Sequence, residues 1–211
     1  MEFDYQRTRT PRIATSASGD TLTVWEQSVN GQGIRWRAHR AGVGWWNAPG
    51  FVQSGGYVDE SGGGSKPAIA MDSSGNALAA FLRRHPQNLF LNVYANQYLA
   101  GNGWTGTELV RFNGNGSAGH PSLAMNARGD GIVAWRQSDG TNESIYYSRY
   151  TPQDGWELGG LVERLDGKAL DPVVALDDQG NGLAVWLRYD EDKRIYDLWA
   201  NRFLAGNDDG S

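Results

Sequence analysis

The chain has 211 residues, enough for one all-β domain with a sizeable core, and a formal net charge of −5. This acidic balance argues against a nucleic-acid partner, which normally needs a basic surface. The absence of Cys excludes disulfides, thiol catalysis and Cys-ligated zinc.

One pattern recurs four times along the chain without gaps. Each copy begins with Pro, reaches a Gly eight positions later and ends on an aromatic residue fourteen positions after the Pro. The copies occupy residues 11–25, 67–81, 121–135 and 172–186. A period of roughly 50 residues with strand-like content is typical of a β-propeller, in which each repeat forms one blade.

Each copy predicts a β-hairpin. A short polar residue three positions before the Gly can accept a hydrogen bond from the turn backbone, and the Gly supplies the positive φ of the loop. The polar column is Ser16, Asp72, Asn126 and Asp177, and the Gly column is Gly19, Gly75, Gly129 and Gly180. The second strands are largely apolar on both faces, as expected when neighbouring blades cover both sides.

A third strand follows each hairpin. Aligned on their ends, these strands share an aromatic column at Trp36, Tyr94, Tyr146 and Trp199. A Gly-Trp pair comes next in three repeats, with its aromatic at Trp45, Trp104 and Trp156, and a fourth strand is predicted after it. A column of small residues on the first strands, Ala14, Ala70, Ala124 and Ala175, suits the crowded axis of a small ring.

The fourth repeat ends where its last strand is expected, and residues 1–10 show strand-like alternation. We therefore predict a single all-β domain over residues 1–211: a four-bladed β-propeller with four-stranded antiparallel blades. The N-terminal strand would close the ring and remove an exposed sheet edge. The predicted blades cover about 11–66, 67–120, 121–171, and 172–211 together with 1–10.

The repeated motif resembles tandem propeller repeats of bacterial exported and cell-surface proteins. It reads Pro-x-(Ile/Leu/Val)-Ala-x-(Asp/Asn)-x-x-Gly-(Asn/Asp)-x-x-x-x-Trp. The resemblance covers almost the whole chain and implies a secreted or cell-surface location, although residues 1–7 do not form a signal peptide. No apolar run approaches the roughly 20 residues needed to cross a bilayer.

The chain also looks distantly like fucose-binding propeller lectins, which bind sugars through an Arg, a Glu and an aromatic residue in each site. The residues that this resemblance suggests follow the second-strand aromatic and form the Gly-Trp pairs. They are Arg83, Arg136, Arg188 and Glu26, with Trp45, Trp104 and Trp156. Packing between blades is the alternative role of the three Trp residues.

The leading prediction is a non-catalytic binding module with carbohydrate as the candidate ligand, bound at repeated inter-blade sites. Repetition favours binding, because several weak equal sites gain from multivalency whereas catalysis needs one asymmetric group of residues. We expect no metal or other cofactor, since no His pair has metal-ligand spacing and no Gly-rich phosphate loop is present. The oligomeric state stays open.

Two other functions remain open. The second is a protein-interaction or structural scaffold, with another protein rather than a glycan as partner. The third is a glycan-acting hydrolase, which would need two carboxylates a few ångströms apart. The acidic residues that break the repeat are Glu26, Asp59, Glu60, Asp154, Asp190, Glu191 and Asp192. An asymmetric carboxylate cleft would indicate the enzyme.

Overall fold

The structure, a computed structural model, describes residues 7–28, 32–46, 58, 63–87, 89–110, 116–138, 141–163 and 167–205. These residues form sixteen strands and no helix. None of the described segments is therefore a membrane-spanning helix.

The strands fall into four consecutive units. Unit 1 contains β1 (Arg7–Thr15), β2 (Thr21–Ser28), β3 (Gln32–Arg40) and β4 (Gly44–Trp46). Unit 2 contains β5 (Ser65–Met71), β6 (Ala77–Arg84), β7 (Leu91–Leu99) and β8 (Gly103–Leu109). Unit 3 contains β9 (Ala118–Met125), β10 (Gly131–Ser138), β11 (Glu143–Thr151), β12 (Gly155–Trp156) and β13 (Gly160–Leu161). Unit 4 contains β14 (Lys168–Leu176), β15 (Gly182–Asp190) and β16 (Ile195–Phe203).

Within each unit all strand pairs are antiparallel; they join successive strands, except that β12 and β13 of unit 3 both pair with β11. Units 1 and 2 are separate four-stranded sheets, in the orders β1-β2-β3-β4 and β5-β6-β7-β8. One parallel pairing, between Glu143 and Lys168, joins units 3 and 4 into an eight-stranded sheet. Among the described residues, β16 pairs with β15 alone.

The predicted hairpin chemistry is confirmed in all four units. Asp72 Oδ1 accepts from the backbone N–H of Asn76 at 2.8 Å, and Asp177 Oδ1 accepts from that of Asn181 at 2.7 Å. Ser16 and Asn126 accept equivalent bonds. The four glycines have φ between 85° and 95°, a conformation that residues with a Cβ adopt at a cost.

The core lies between the units rather than within them. Each unit has a forward face, directed at the next unit in the chain, and a backward face, directed at the preceding unit. Three buried clusters mark the contacts: Leu22, Val24 and Ile34 against Ile69, Ala79 and Phe81; Ala80, Leu82 and Val93 against Val133 and Trp135; Ile132, Ala134 and Ile145 against Val174, Ala184 and Trp186. The first strands β1, β5, β9 and β14 contact one another in succession.

The register corrects one predicted column. Tyr94, Tyr146 and Trp199 lie opposite the second-strand aromatics Phe81, Trp135 and Trp186, but Arg35 rather than Trp36 lies opposite Trp25. A shift of one residue moves a side chain to the other face of a sheet. Trp36 is therefore on the forward face of unit 1, where it packs against the core shared with unit 2.

The all-β, antiparallel and β-propeller-like character is confirmed, but the closed four-bladed ring is not. Ile13 of unit 1 is 66% exposed, whereas its equivalent in unit 2, Ile69, is 9% exposed. Leu198 of unit 4 is 74% exposed, whereas Val93 is 2% exposed. Residues 7–10 belong to β1 and pair with β2, and residues 1–6, on which the predicted closing strand depends, lie outside the described residues.

Candidate functional site

The four first strands share a β-bulge at the start of each repeat. In every unit the repeat Pro and the residue before it oppose a single aromatic residue on the second strand. Proline suits a bulge because it has no N–H to donate. The residue before it has a positive φ in each unit: 47° at Thr10, 50° at Lys66, 48° at His120 and 49° at Asp171.

This conformation is rare for residues with a Cβ and typically costs about 1–3 kcal/mol. Bulges redirect side chains and are common beside active sites. Because the bulge is present in all four units, it brings one side chain from each unit to the same end of the first strands β1, β5, β9 and β14, which we call the inner strands. The four side chains are chemically different: a hydroxyl, an ammonium, an imidazole and a carboxylate.

Hydrogen bonds join these side chains into one network. Lys66 Nζ lies 2.8 Å from His120 Nε2, and His120 Nδ1 lies 3.1 Å from Asp171 Oδ1. The Thr10 hydroxyl donates to Glu26 Oε1 at 2.6 Å, and the Lys66 backbone N–H donates to the same oxygen at 2.7 Å. The network thus runs from unit 1 to unit 4, and we call these five residues the inner-strand cluster.

A cavity of about 540 Å³ opens over the inner-strand cluster. Its lining includes Thr10, Lys66, His120 and Asp171, together with Arg12 and Ser122. The side chain of Asp171 is 59% exposed and that of His120 is 44% exposed, so both are accessible to a ligand. A cavity of this size accommodates a small-molecule or oligosaccharide ligand.

The electrostatics favour a neutral His120. Partial burial lowers the pKa of its imidazole below 6.5, the Lys66 ammonium lowers it further, and the Asp171 carboxylate opposes both effects. A neutral ring has one N–H. The contacts place this proton on Nδ1, which donates to Asp171, and leave Nε2 to accept from Lys66.

Glu26 is the one sequence-predicted site residue in this cluster. It lies on the forward side of β2, and its carboxylate binds the bulges of both unit 1 and unit 2. The equivalent positions hold Leu82, Arg136 and Leu187. Glu26 therefore orients Thr10 and Lys66, and no equivalent residue in the other units carries a carboxylate.

The structure does not gather the three predicted arginines into one site. Arg83 stacks over Tyr94 at 4.1 Å and Arg188 over Trp199 at 5.1 Å, in different units. Arg136 pairs with Glu143 at 2.9 Å.

The Gly-Trp aromatics lie away from these arginines. Trp104 packs against Trp36 and Tyr98, and Trp156 packs against Tyr150. Trp45 is 52% exposed and contacts His39 and Arg37. Within unit 2, Trp104 lies across from Tyr98, which faces Ala77, six residues from Arg83 along β6, or roughly 20 Å.

The other acidic candidates do not lie in one common site. Asp190, Glu191 and Asp192 line a second cavity of about 430 Å³ with Arg188 and Trp199. Hydrogen bonds from Lys193 lower the pKa of Asp190. Asp154 bonds to Thr151 in an exposed turn, and Asp59 and Glu60 lie outside the described residues. Among the described residues, no group of three or more His, Asp and Glu is arranged to hold a metal.

Sequence reasoning did not propose Thr10, Lys66, His120 or Asp171 as site residues. The available signal was the residue before each repeat Pro. That column holds Thr, Lys, His and Asp in an otherwise regular motif. Because the first strands contact one another in succession, such a column brings its four side chains close together.

No protein-family model and no curated protein matches the chain. Solved structures of similar fold include a protein of unknown function from Dyadobacter fermentans, at 13% identity and a TM-score of 0.63, matched over 95% of this chain and 66% of that one. An alpha-L-arabinanase from Penicillium chrysogenum matches at 14% identity and a TM-score of 0.61, over 93% and 63% of the two chains. The alpha-L-arabinofuranosidase Arb93A from Fusarium graminearum matches at 12% identity and a TM-score of 0.57, over 94% and 64%.

The chain spans about two thirds of the length of these three structures. At such identities the likeness shows the fold alone. With no family model matching, the resemblance to tandem repeats of bacterial exported proteins is supported only as a β-propeller-like fold.

The prediction of a non-catalytic binding module as the leading function is wrong. Most of the similar structures are named as enzymes that act on glycans, which favours the third alternative, the hydrolase. The binding-module prediction rested on equal sites repeated in each unit, and the first strands do not present such sites. There, each unit contributes a different functional group to one asymmetric cavity.

Proposed function

We propose that this chain hydrolyses glycosidic bonds in the cavity over the inner-strand cluster. The observation that carries the proposal is the asymmetry of that cluster. Four equivalent backbone positions present Thr10, Lys66, His120 and Asp171, and hydrogen bonds connect them. Catalysis uses such an asymmetric set, because acid, base and orienting groups must differ.

Asp171 is the proposed carboxylate of the reaction. It is exposed in the cavity, and the His120 Nδ1–H holds one of its oxygens. The carboxylate takes a proton from water, the water oxygen bonds to the anomeric carbon, and the bond from that carbon to the leaving oxygen breaks. Most glycosidases pair such a carboxylate with a carboxylic acid as the proton donor, and in this proposal the Lys66 ammonium takes the place of that second carboxyl group.

Lys66 is the proposed acid. Its ammonium lies in the cavity and donates to His120, so it can give a proton to the leaving oxygen. Glu26 is a positioning residue, since its carboxylate binds the Thr10 hydroxyl and the Lys66 amide. Its contacts fix the bulge that presents Lys66.

The named activities of similar structures suggest the substrate class. An arabinanase, an arabinofuranosidase and a xylanase share this fold, so polymers of pentoses are the first candidates. This substrate class is an inference from likeness in fold and stays part of the proposal.

The finer architectural predictions also remain proposals. The four-bladed ring, its closure by the N-terminal strand, the single domain and its blade boundaries are among them. So are ligand contacts by Trp45, Trp104, Trp156, Arg83, Arg136 and Arg188. The hydrolase proposal needs the four inner strands and does not depend on ring closure.

A product assay in ¹⁸O-labelled water tests the proposal. The chain is incubated with arabinan, xylan and hexose polymers, and new reducing ends are analysed by mass spectrometry. Hydrolysis predicts one ¹⁸O atom at each new reducing end. Absence of new reducing ends on every polymer, at high enzyme concentration and long incubation, would contradict a glycan hydrolase.

A further inference from the structure

One charged side chain in the cavity over the inner-strand cluster takes no part in the proposed hydrolysis. Arg12 follows the repeat Pro of unit 1 and lines this cavity. It lies opposite Val24, on the forward face of unit 1. The equivalent positions hold Ala68, Ser122 and Val173, and these three residues also line the cavity. Unit 1 thus presents a guanidinium where the other units present a small or apolar side chain.

The guanidinium of Arg12 is not neutralised by a side chain in the part of the chain that the structure describes. Its Nη1 donates to the backbone oxygen of Pro11 at 3.1 Å, and no ion pair joins it to a described carboxylate. Arg12 is exposed, so its other N–H donors are accessible to a ligand in the cavity.

The other charged groups of the lining are held by one another. Lys66 donates to His120, and His120 donates to Asp171. Because β5 and β9 lie between β1 and β14 in the succession of contacts, Lys66 and His120 separate Arg12 from the Asp171 carboxylate. Glu26 also belongs to the unit 1 end, but it is not part of the lining. This end of the cavity therefore offers two positive groups to a ligand.

We propose that Arg12 binds a carboxylate of the substrate, so that the glycan taken by this cavity carries a uronic acid. This inference rests on the proposed function and narrows its substrate class. The planar fork of a guanidinium matches the two oxygens of a carboxylate, and such charged hydrogen bonds are roughly twice as strong as neutral ones. A pentose polymer with uronic acid side groups satisfies both this inference and the likeness in fold.

The order of the inner strands gives the bound glycan a direction. The uronic acid lies at the unit 1 end, and the bond that is cleaved lies at Asp171 in unit 4. Arg12 thus determines specificity, whereas Asp171 and Lys66 act on the bond. Much of the remaining lining is apolar, as in other small-ligand sites where a few polar groups fix the orientation of the ligand.

Binding of small methyl glycosides tests this inference without a polymer. Methyl glucuronide is compared with methyl glucoside, and methyl galacturonide with methyl galactoside, because each pair differs in a carboxylate against a hydroxymethyl group. Wild type should bind the acid of at least one pair roughly tenfold to a hundredfold more tightly, as expected for hydrogen bonds to a charged group. NMR titration at neutral pH measures the dissociation constants.

Three variants locate the source of the preference. Arg12→Gln should bind both members of each pair equally, with an unchanged circular dichroism spectrum. Arg12→Lys should keep part of the preference, since an ammonium retains the charge but not the planar fork. Arg202→Gln is the matched control, because it removes the same charge from an exposed arginine outside the cavity, and it should keep the wild-type preference.

Several outcomes would overturn the inference. They are equal binding of acid and neutral sugar by wild type, no binding of either acid, and a preference that survives in Arg12→Gln. Loss of the preference in Arg202→Gln would assign it to overall charge and would overturn the inference too. Hydrolysis is a separate readout: cleavage of neutral polymers with no acid preference leaves the proposed function standing, and an Arg12-dependent preference without cleavage leaves only the acidic-sugar site.

Discussion

At the scale of single residues, the residue before each repeat Pro combines a strained backbone with a polar side chain that lines the cavity. A positive φ before proline is costly, and the chain keeps it in all four units. Hydrogen bonds to Glu26, His120 and Asp171 offset part of that cost. The same strain that disfavours the bulge directs Lys66 and Asp171 into one cavity.

The protonation of His120 should follow its two neighbours. Lys66→Met should raise the pKa of His120 because it removes a nearby positive charge, and Asp171→Asn should lower it further. A histidine whose folded pKa lies below its unfolded value stabilises the fold above about pH 6.5, and this stability is lost as pH falls through the folded pKa. NMR titration of the His120 ring protons measures both shifts, and equal pKa values in the three proteins would contradict the network.

If Lys66 is the acid, the loss of kcat on removing its ammonium should depend on the leaving group. Lys66→Met should lower kcat by about 10²–10⁴-fold on a polysaccharide, because the leaving oxygen then receives no proton from the enzyme. The loss should be much smaller on an aryl glycoside whose phenolate leaves without protonation. Steady-state kinetics on both substrates measure the contrast, and an equal loss on both would remove Lys66 from this role.

Glu163 is a buried carboxylate between units 3 and 4. Burial raises its pKa above 4.5, and the hydrogen bond that its Oε2 accepts from Trp186 Nε1–H at 3.1 Å opposes the shift. A raised pKa in the folded state means that stability falls as pH rises from about 4.5 through the folded pKa. Trp25 and Trp135 donate to Gln27 and Gln137 instead, so an amide also satisfies this indole donor.

Glu163→Gln should therefore raise the melting temperature at pH 7, and the gain should shrink as pH falls towards 4. Differential scanning calorimetry across this range makes the comparison. A variant that is less stable than wild type at pH 7 would show that the charged carboxylate is favourable where it lies.

At the scale of elements, stability resides in the contacts between units. Leu22 and Leu183 are equivalent positions on β2 and β15, but one is 1% exposed and the other 48%. Leu22→Ala should cost about 2–5 kcal/mol of unfolding free energy, as for a buried leucine. Leu183→Ala should cost less than about 1 kcal/mol. Urea titration ranks the two variants, and the reverse order would refute the interface assignment.

The sequence was enough to predict the elements because their signals are local. The polar residue and Gly of each hairpin are set by the backbone of a single turn, and both are found as predicted. The register of β3 was predicted wrongly by one residue, because the segment before it differs in length between repeats, and such a slip reverses the face of Trp36.

The site could be predicted only in part, because it depends on distances between units. Glu26 was recognised as an acidic residue that breaks the repeat. Its partners Thr10 and Lys66 lie 16 and 40 positions away in sequence and meet it only through the bulges. The Trp and Arg candidates were chosen at positions where the same residue type recurs in several repeats. Four of the five cluster residues instead lie at the position before Pro, where the residue type differs in every repeat.

At the scale of the whole molecule, a repeated scaffold carries one non-repeated cavity. The units supply equivalent backbone positions, and the differences among their pre-proline residues supply the chemistry. In the proposed function, Asp171 in this cavity activates the water that hydrolyses the glycan.

The most direct test compares initial rates of reducing-end release by wild type, Asp171→Asn and Asp190→Asn. The first variant keeps the shape of the side chain and removes its charge, and the second makes the same change in the other cavity. Asp171→Asn should lose at least about a hundredfold in kcat, while Asp190→Asn stays within about threefold of wild type. Wild-type rates in Asp171→Asn would contradict hydrolysis by Asp171 in this cavity. So would a loss of activity in Asp190→Asn with no loss in Asp171→Asn.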